Sequence, residues 1–168
     1  HNNDWWKWAT AGAVTGWIAR GISQPVYYDY GNTLYYEGDN VYYNNEVVAT
    51  SDEYAAQAQE IASGAAEANP DDAEWMPLGV FAMAEKDGSV EEATMYLQLA
   101  ISKDGVIAGT FQNTSTDNAL EVEGTIDTES QRAAWVPVGE SWPVMETGIY
   151  NLTENEAGVL LHFEDGQT

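Results

Sequence analysis

Met95-Tyr96-Leu97-Gln98-Leu99-Ala100-Ile101, then Lys103-Asp104-Gly105, then Val106 to Gln112, is the stretch that decides the fold. Met95, Leu97, Leu99 and Ile101 alternate with Tyr96, Gln98 and Ala100, so one face of an extended strand is apolar and the other is not. Lys103-Asp104-Gly105 turns the chain tightly, because Gly accepts the positive φ that such turns demand. The same grammar continues on both sides. Leu78 to Ala84 reads as the preceding strand, with Lys86-Asp87-Gly88 as the turn after it. Leu120, Val122, Gly124 and Ile126 alternate with Glu121, Glu123 and Thr125, and Ala133 to Val138, Val144 to Leu152 and Val159 to Phe163 complete the run. Seven or so strands in succession, joined by short turns, call for an up-and-down antiparallel sheet. Such a sheet either curls into a lipocalin- or avidin-like barrel or packs as a sandwich. No strand–helix–strand alternation exists, which excludes Rossmann-type parallel folds.

Upstream the pattern shortens. Val26-Tyr27-Tyr28-Asp29-Tyr30, Leu34-Tyr35-Tyr36-Glu37, Val41-Tyr42-Tyr43 and Glu46-Val47-Val48-Ala49 are separated by Gly31-Asn32, Gly38-Asp39 and Asn44-Asn45. This spacing predicts a meander of four short strands in which each Tyr-Tyr dyad puts one ring on each face. Thr50 and Glu53 then form a capping box, and Tyr54, Ala58, Ile61, Ala62 and Ala65 recur at helical spacing on one Ala-rich face. Asn69-Pro70 stops that helix, and Asp71-Asp72-Ala73-Glu74 reads as a linker. The fold class is therefore α+β, mainly antiparallel β. It divides into an aromatic arm (1–24, with Trp5, Trp6, Trp8 and Trp17), a small meander plus helix (25–70) and a barrel-like sheet (71–168).

Charge narrows the function classes. The 168 residues hold 28 acids against 5 bases, a net of −23. Phosphate backbones and anionic lipid surfaces are repelled by such a chain, so nucleic acid is excluded as a partner. No apolar run reaches the ~18 residues of a membrane span, the stretch Trp5 to Ala19 being interrupted by Lys7, two Thr and two Gly. Cysteine is absent, which removes disulfides, thiol catalysis and thiolate zinc sites. The chain opens on His1 and reads as a fragment or processed form, with any export signal upstream.

The catalytic inventory is thin. Two histidines, His1 and His162, make no metal-binding spacing, no Gly-x-Ser-x-Gly elbow is present, and neither a phosphate loop nor a dinucleotide fingerprint occurs. No cofactor is implied. Asp71-Asp72 with Glu74, and the Glu37-Gly38-Asp39-Asn40 turn, fall short of a calcium loop, so no metal site is assigned. Asn113-Thr114-Ser115 and Asn151-Leu152-Thr153 match the glycosylation acceptor, a short match expected by chance. Glu146 is the carboxylate singled out for paired-acid chemistry, set against the plainer reading of a solvated strand face. Arg132, one of five bases and three residues before Trp135, is expected to clamp a carboxylate or stack on an aromatic ring. A curled sheet would line its mouth with Tyr96, Trp135, Tyr150 and His162. With Arg132 and Glu146 these are the six candidate ligand-binding residues.

Trp5-Trp6-Lys7-Trp8-Ala9-Thr10, Tyr27-Tyr28-Asp29-Tyr30-Gly31-Asn32, the run from Thr50 through Ile61 and Gly148-Ile149-Tyr150-Asn151-Leu152-Thr153 resemble secreted planctomycete proteins labelled cell-surface or mu-protocadherin-like. The resemblance implies an extracytoplasmic location and carries no catalytic residues. The cadherin calcium string Asp-x-Asn-Asp-x-x-Pro is absent, so adhesion is not inferred from the label. Two functions follow as expectations: a non-catalytic binding or structural module of the cell surface, recognising a small molecule, a glycan or a protein, or a polysaccharide hydrolase using paired carboxylates.

Overall fold

A computed structural model describes residues 25–64, 75–83, 95–153 and 158–164. The tryptophan-rich arm, the Asn69-Pro70 stop, the 71–74 linker, the Lys86-Asp87-Gly88 turn and the final turn from Asp165 lie outside the described residues. The described residues form two antiparallel sheets and one α-helix. In the first sheet β1 (Leu34–Glu37), β2 (Asn40–Tyr43) and β3 (Glu46–Thr50) pair in sequence order. Helix α1 (Ser51–Ser63) follows at once, opened by the expected capping box: Glu53 N–H donates to Thr50 Oγ1 and Thr50 N–H donates to Glu53 Oε1. The second sheet runs β4 (Trp75–Met83), β5 (Met95–Ser102), β6 (Val106–Asn113), β7 (Asn118–Asp127), β8 (Arg132–Pro137), β9 (Val144–Gly148) and β10 (Leu160–His162), each hydrogen-bonded to the next.

The up-and-down order is as the alternation predicts, but closure is not. β4 and β10 stand at opposite edges and do not pair, so the sheet is open rather than a barrel. It curls nevertheless. Leu78, Leu97, Leu99, Ile101, Ile107, Val122 and Trp135 pack on its concave face with Ile149, Tyr150 and Leu152 as one apolar core. The curl is built at two inward-facing glycines. A Cβ on Gly109 would lie 1.9 Å from the Gln98 carbonyl oxygen, and one on Gly124 would lie 1.8 Å from that of Ala134. Gly124 pairs with Trp135, a fully buried ring that fills the concave side where the glycine brings none.

Two local expectations are corrected. The strand predicted from Val144 to Leu152 stops at Gly148, and Ile149–Thr153 is a 3₁₀ helix that turns Ile149, Tyr150 and Leu152 into the core. The first of the four predicted short strands does not form. Residues 26–30 are not paired into a sheet strand; their backbone meets β1 at a parallel bridge from Tyr30 to Leu34 and at a hydrogen bond from Leu34 N–H to the Asp29 carbonyl. The reason lies in who satisfies their backbone. Tyr28 N–H donates to Asn151 Oδ1 at 2.8 Å, and Asn151 Nδ2 donates back to the Tyr28 carbonyl at 2.7 Å. Val26 N–H donates to Gln131 Oε1 at 2.6 Å. Side-chain amides thus replace the missing neighbouring strand.

The other face of the large sheet is covered by α1. Ala58 and Ala62 press onto Ala134, Val136 and Val144, the close approach that an Ala-rich helix face allows. Thr125 Oγ1 donates to the Ile61 carbonyl and fixes the far end of the helix to β7. The small sheet turns Leu34, Val41 and Ala49 toward Tyr54 of α1, with Tyr28, Tyr30, Tyr36, Tyr43 and Leu160 packed around them. Gly124→Ala should be among the most damaging one-carbon changes in the protein, because the obstacle is a backbone oxygen. A loss of about 3 kcal/mol in urea unfolding is expected, and a loss under 0.5 kcal/mol would mean that the glycine is not what lets the sheet curl.

Candidate functional site

Strand register assembles the site. Glu146 of β9 stands opposite Ala134 of β8 and Leu160 of β10, so Arg132 and His162 are its diagonal neighbours on the helix-covered face. All three are buried, with Glu146 and His162 at 0% exposure. Arg132 grips the carboxylate with two donors: Nε to Oε2, and Nη2 to Oε1 at 3.0 Å. His162 Nε2 lies 2.6 Å from the same Oε1. A carboxylate can only accept, so the imidazole carries its proton on Nε2.

Helix α1 completes the shell from above. Arg132 Nη1 donates to Gln57 Oε1 at 2.7 Å and Nη2 to the Tyr54 carbonyl at 3.2 Å. The guanidinium carbon sits 3.8 Å from the centroid of the Tyr54 ring, a cation–π contact in a desolvated setting. The edge-on pair of Tyr54 and His162, 6.0 Å apart, closes the other side. Arg132 therefore both ties a carboxylate and stacks on an aromatic ring.

Burial alone would push the Glu146 carboxyl up. The hydrogen bonds from His162 and Arg132, together with the guanidinium charge, outweigh it and hold the carboxyl below its ordinary value. Burial is also the main reason that the nearby phenols are raised. Tyr28 is pushed up to about 12, and Tyr30 and Tyr54 are raised further, with the Glu146 charge adding to burial. These rings stay neutral. The net result is a guanidinium and a carboxylate locked together, with His162 hydrogen-bonded to the carboxylate and neutral phenols nearby.

The six sequence candidates fall into three places. Arg132, Glu146 and His162 come together beneath α1. Trp135 and Tyr150 lie on the opposite face of the sheet, 0% exposed and packed in the concave apolar core. Tyr96 points away from that core and is 36% exposed. The mouth expected from Tyr96, Trp135, Tyr150 and His162 is thus not assembled, because leucine, isoleucine and valine fill the concave side. Glu146 is no solvated strand face either, since helix and small sheet cover it.

Sequence reasoning assigned no role in the site to Tyr54 or Gln57. Both sit on one side of α1 three residues apart, a spacing that marked Tyr54 as core but gave a lone Gln no distinction. Among the described residues no group of three His or acidic side chains is placed to hold a metal ion, and no helix is long and apolar enough to cross a membrane. Comparison with protein-family models, curated proteins and solved structures gives no match for this chain.

The lowered Glu146 carboxyl makes a pH prediction with a definite sign. A group depressed on folding stabilises the native state above its unfolded value, 4.5 for a free Glu, and loses that contribution as pH falls through the folded value. The stability gap between the wild type and Glu146→Gln should therefore be widest at neutral pH and narrow in acid below that value. Urea titrations of both proteins across the acid range measure it, and a gap that is flat with pH would contradict the ionised, clamped carboxylate.

Proposed function

We propose that the chain is a non-catalytic binding or structural module of the cell surface, in which a rigid β scaffold presents its outer faces to a ligand or partner. The observation that carries this is the closure of the Arg132–Glu146–His162 cluster. Both oxygens of Glu146 are occupied, and Arg132 is engaged by two side chains, a carbonyl and a ring. No reacting atom can approach a carboxylate so enclosed. Its chemistry is that of a joint between α1 and three strands.

The extracytoplasmic placement rests on the resemblance to secreted planctomycete proteins. A surface at net −23 suits a protein that must stay soluble and apart from acidic polymers. The hydrolase reading needs one carboxyl raised toward neutrality so that it can protonate a leaving group. Glu146 is shifted the other way, so no observation favours that reading.

The experiment is a paired screen of the purified protein against soluble polysaccharides and peptides, reading retention on the ligand and release of reducing ends together. The expected result is retention without turnover. Release of reducing ends that disappears in a Glu146→Gln variant still melting cooperatively would overturn the proposal.

A further inference from the structure

The small sheet has an outer face that its inner face makes easy to overlook. Leu34, Tyr36, Val41, Tyr43 and Ala49 point inward, so alternation turns Tyr35, Tyr42 and Val47 outward in one row across the three strands. Tyr35 and Tyr42 stack with ring centroids 5.1 Å apart and planes 5° from parallel. Val47 beside them is 55% exposed, and Val48, the extra residue where the register shifts, is 50% exposed. Two exposed valines beside a pair of half-buried, stacked rings form one contiguous apolar patch, the kind of exposure that marks a contact surface.

Charge tells what would sit there. Residues 25–64 carry seven carboxylates (Asp29, Glu37, Asp39, Glu46, Asp52, Glu53 and Glu60) and no Lys, Arg or His. Glu37 follows Tyr35 by two positions on β1 and so shares its face, about 7 Å along the strand. The pairing of a tyrosine ring with a carboxylate already occurs inside the protein. There, the Tyr54 ring and the Glu146 carboxylate together hold the guanidinium of Arg132. The outer face repeats the ring and the carboxylate, and its own segment supplies no cation.

We propose that the outer face of β1–β3 docks an arginine-bearing, cationic segment of a partner protein, the guanidinium stacking on the Tyr35–Tyr42 pair and pairing with Glu37. Val47 and Val48 take the aliphatic part of the arginine side chain, which covers apolar surface while its head stays polar. Arginine fits better than lysine, because its planar head stacks and donates in the plane at the same time. This assignment rests on the reading of the chain as a binding module and names the partner class for one of its surfaces.

The test is titration of the whole protein with a synthetic peptide of alternating Gly and Arg, and with its Gly-Lys counterpart, by calorimetry at physiological salt. The Arg peptide should bind more tightly than the Lys peptide. Tyr35→Ala/Tyr42→Ala, which leaves the net charge unchanged, should weaken it roughly tenfold, and Glu37→Gln roughly two- to fivefold. Glu129→Gln/Glu140→Gln removes exposed acids from the turns on either side of β8 and should leave the affinity within twofold. Tyr35→Leu/Tyr42→Leu keeps apolar bulk without the π face and should lose as much as the alanine pair, with a wild-type melting curve as the check on folding. Equal affinity for the tyrosine variants would reduce the attraction to diffuse charge and overturn the proposal. So would a face that takes a neutral oligosaccharide and ignores the Arg peptide, although the chain would then still be a binding module.

Discussion

Arg132 and Glu146 form the contact on which the arrangement of this protein depends. They lie on neighbouring strands of the large sheet, yet the donors and acceptors around them come from β8, β9, β10 and α1. An ion pair this buried is unfavourable to form from water unless every polar valence is met. Here the missing valences are met only when α1 is seated, because Gln57 and the Tyr54 carbonyl supply them. The pair thus ties the position of the helix to the register of three strands, and the wrong seating would leave a charge uncompensated in an apolar layer.

The strand β8 shows how one segment serves two layers. Arg132, Ala134 and Val136 face the helix, while Ala133 and Trp135 face the concave core. A slip by one residue would put Arg132 among Leu99, Ile101 and Ile107 and bring Trp135 under an Ala-rich helix that has no room for it. The clamp specifies register as well as docking. Beside the clamp, Tyr28 and Asn151 extend the same logic to a segment without a strand partner. The Tyr28 phenol also donates to the Ser130 carbonyl at 2.6 Å, so residues 26–30 are laid along the β7–β8 turn and the 3₁₀ helix.

Much of this was legible in the sequence because it is local. The two-residue period of Met95 to Ile101 and Leu120 to Ile126, the turns at Gly31-Asn32, Gly38-Asp39 and Lys103-Asp104-Gly105 and the Thr50–Glu53 box each act within a few residues, and each formed where expected. The dyads Tyr35-Tyr36 and Tyr42-Tyr43 did place one ring on each face. What the sequence did not reveal depends on distant partners. Residues 26–30 look like a strand by composition, but their hydrogen bonds go to Gln131 and Asn151, more than a hundred positions away. Leu152 has the residues of a strand around it, yet the core needs a plug at that end and takes a 3₁₀ turn. Closure depends on whether the two edge strands meet, a question of curvature that alternation does not address. Arg132 announced itself by rarity and Glu146 was singled out among 28 acids, but that the two are partners was not legible, because only the strand register brings them together.

The account stands on the claim that Arg132 and Glu146 act as one coupled structural unit. A double-mutant cycle on unfolding free energy, using Arg132→Met and Glu146→Leu, tests it most directly. Each single change should cost about 3–5 kcal/mol by leaving a buried charge unpaired. The double variant should cost far less than their sum, because two apolar side chains of similar size can refill the layer. Additive costs within about 0.5 kcal/mol would show that the two residues stabilise the fold independently, and the clamp would not be the constraint that seats the helix.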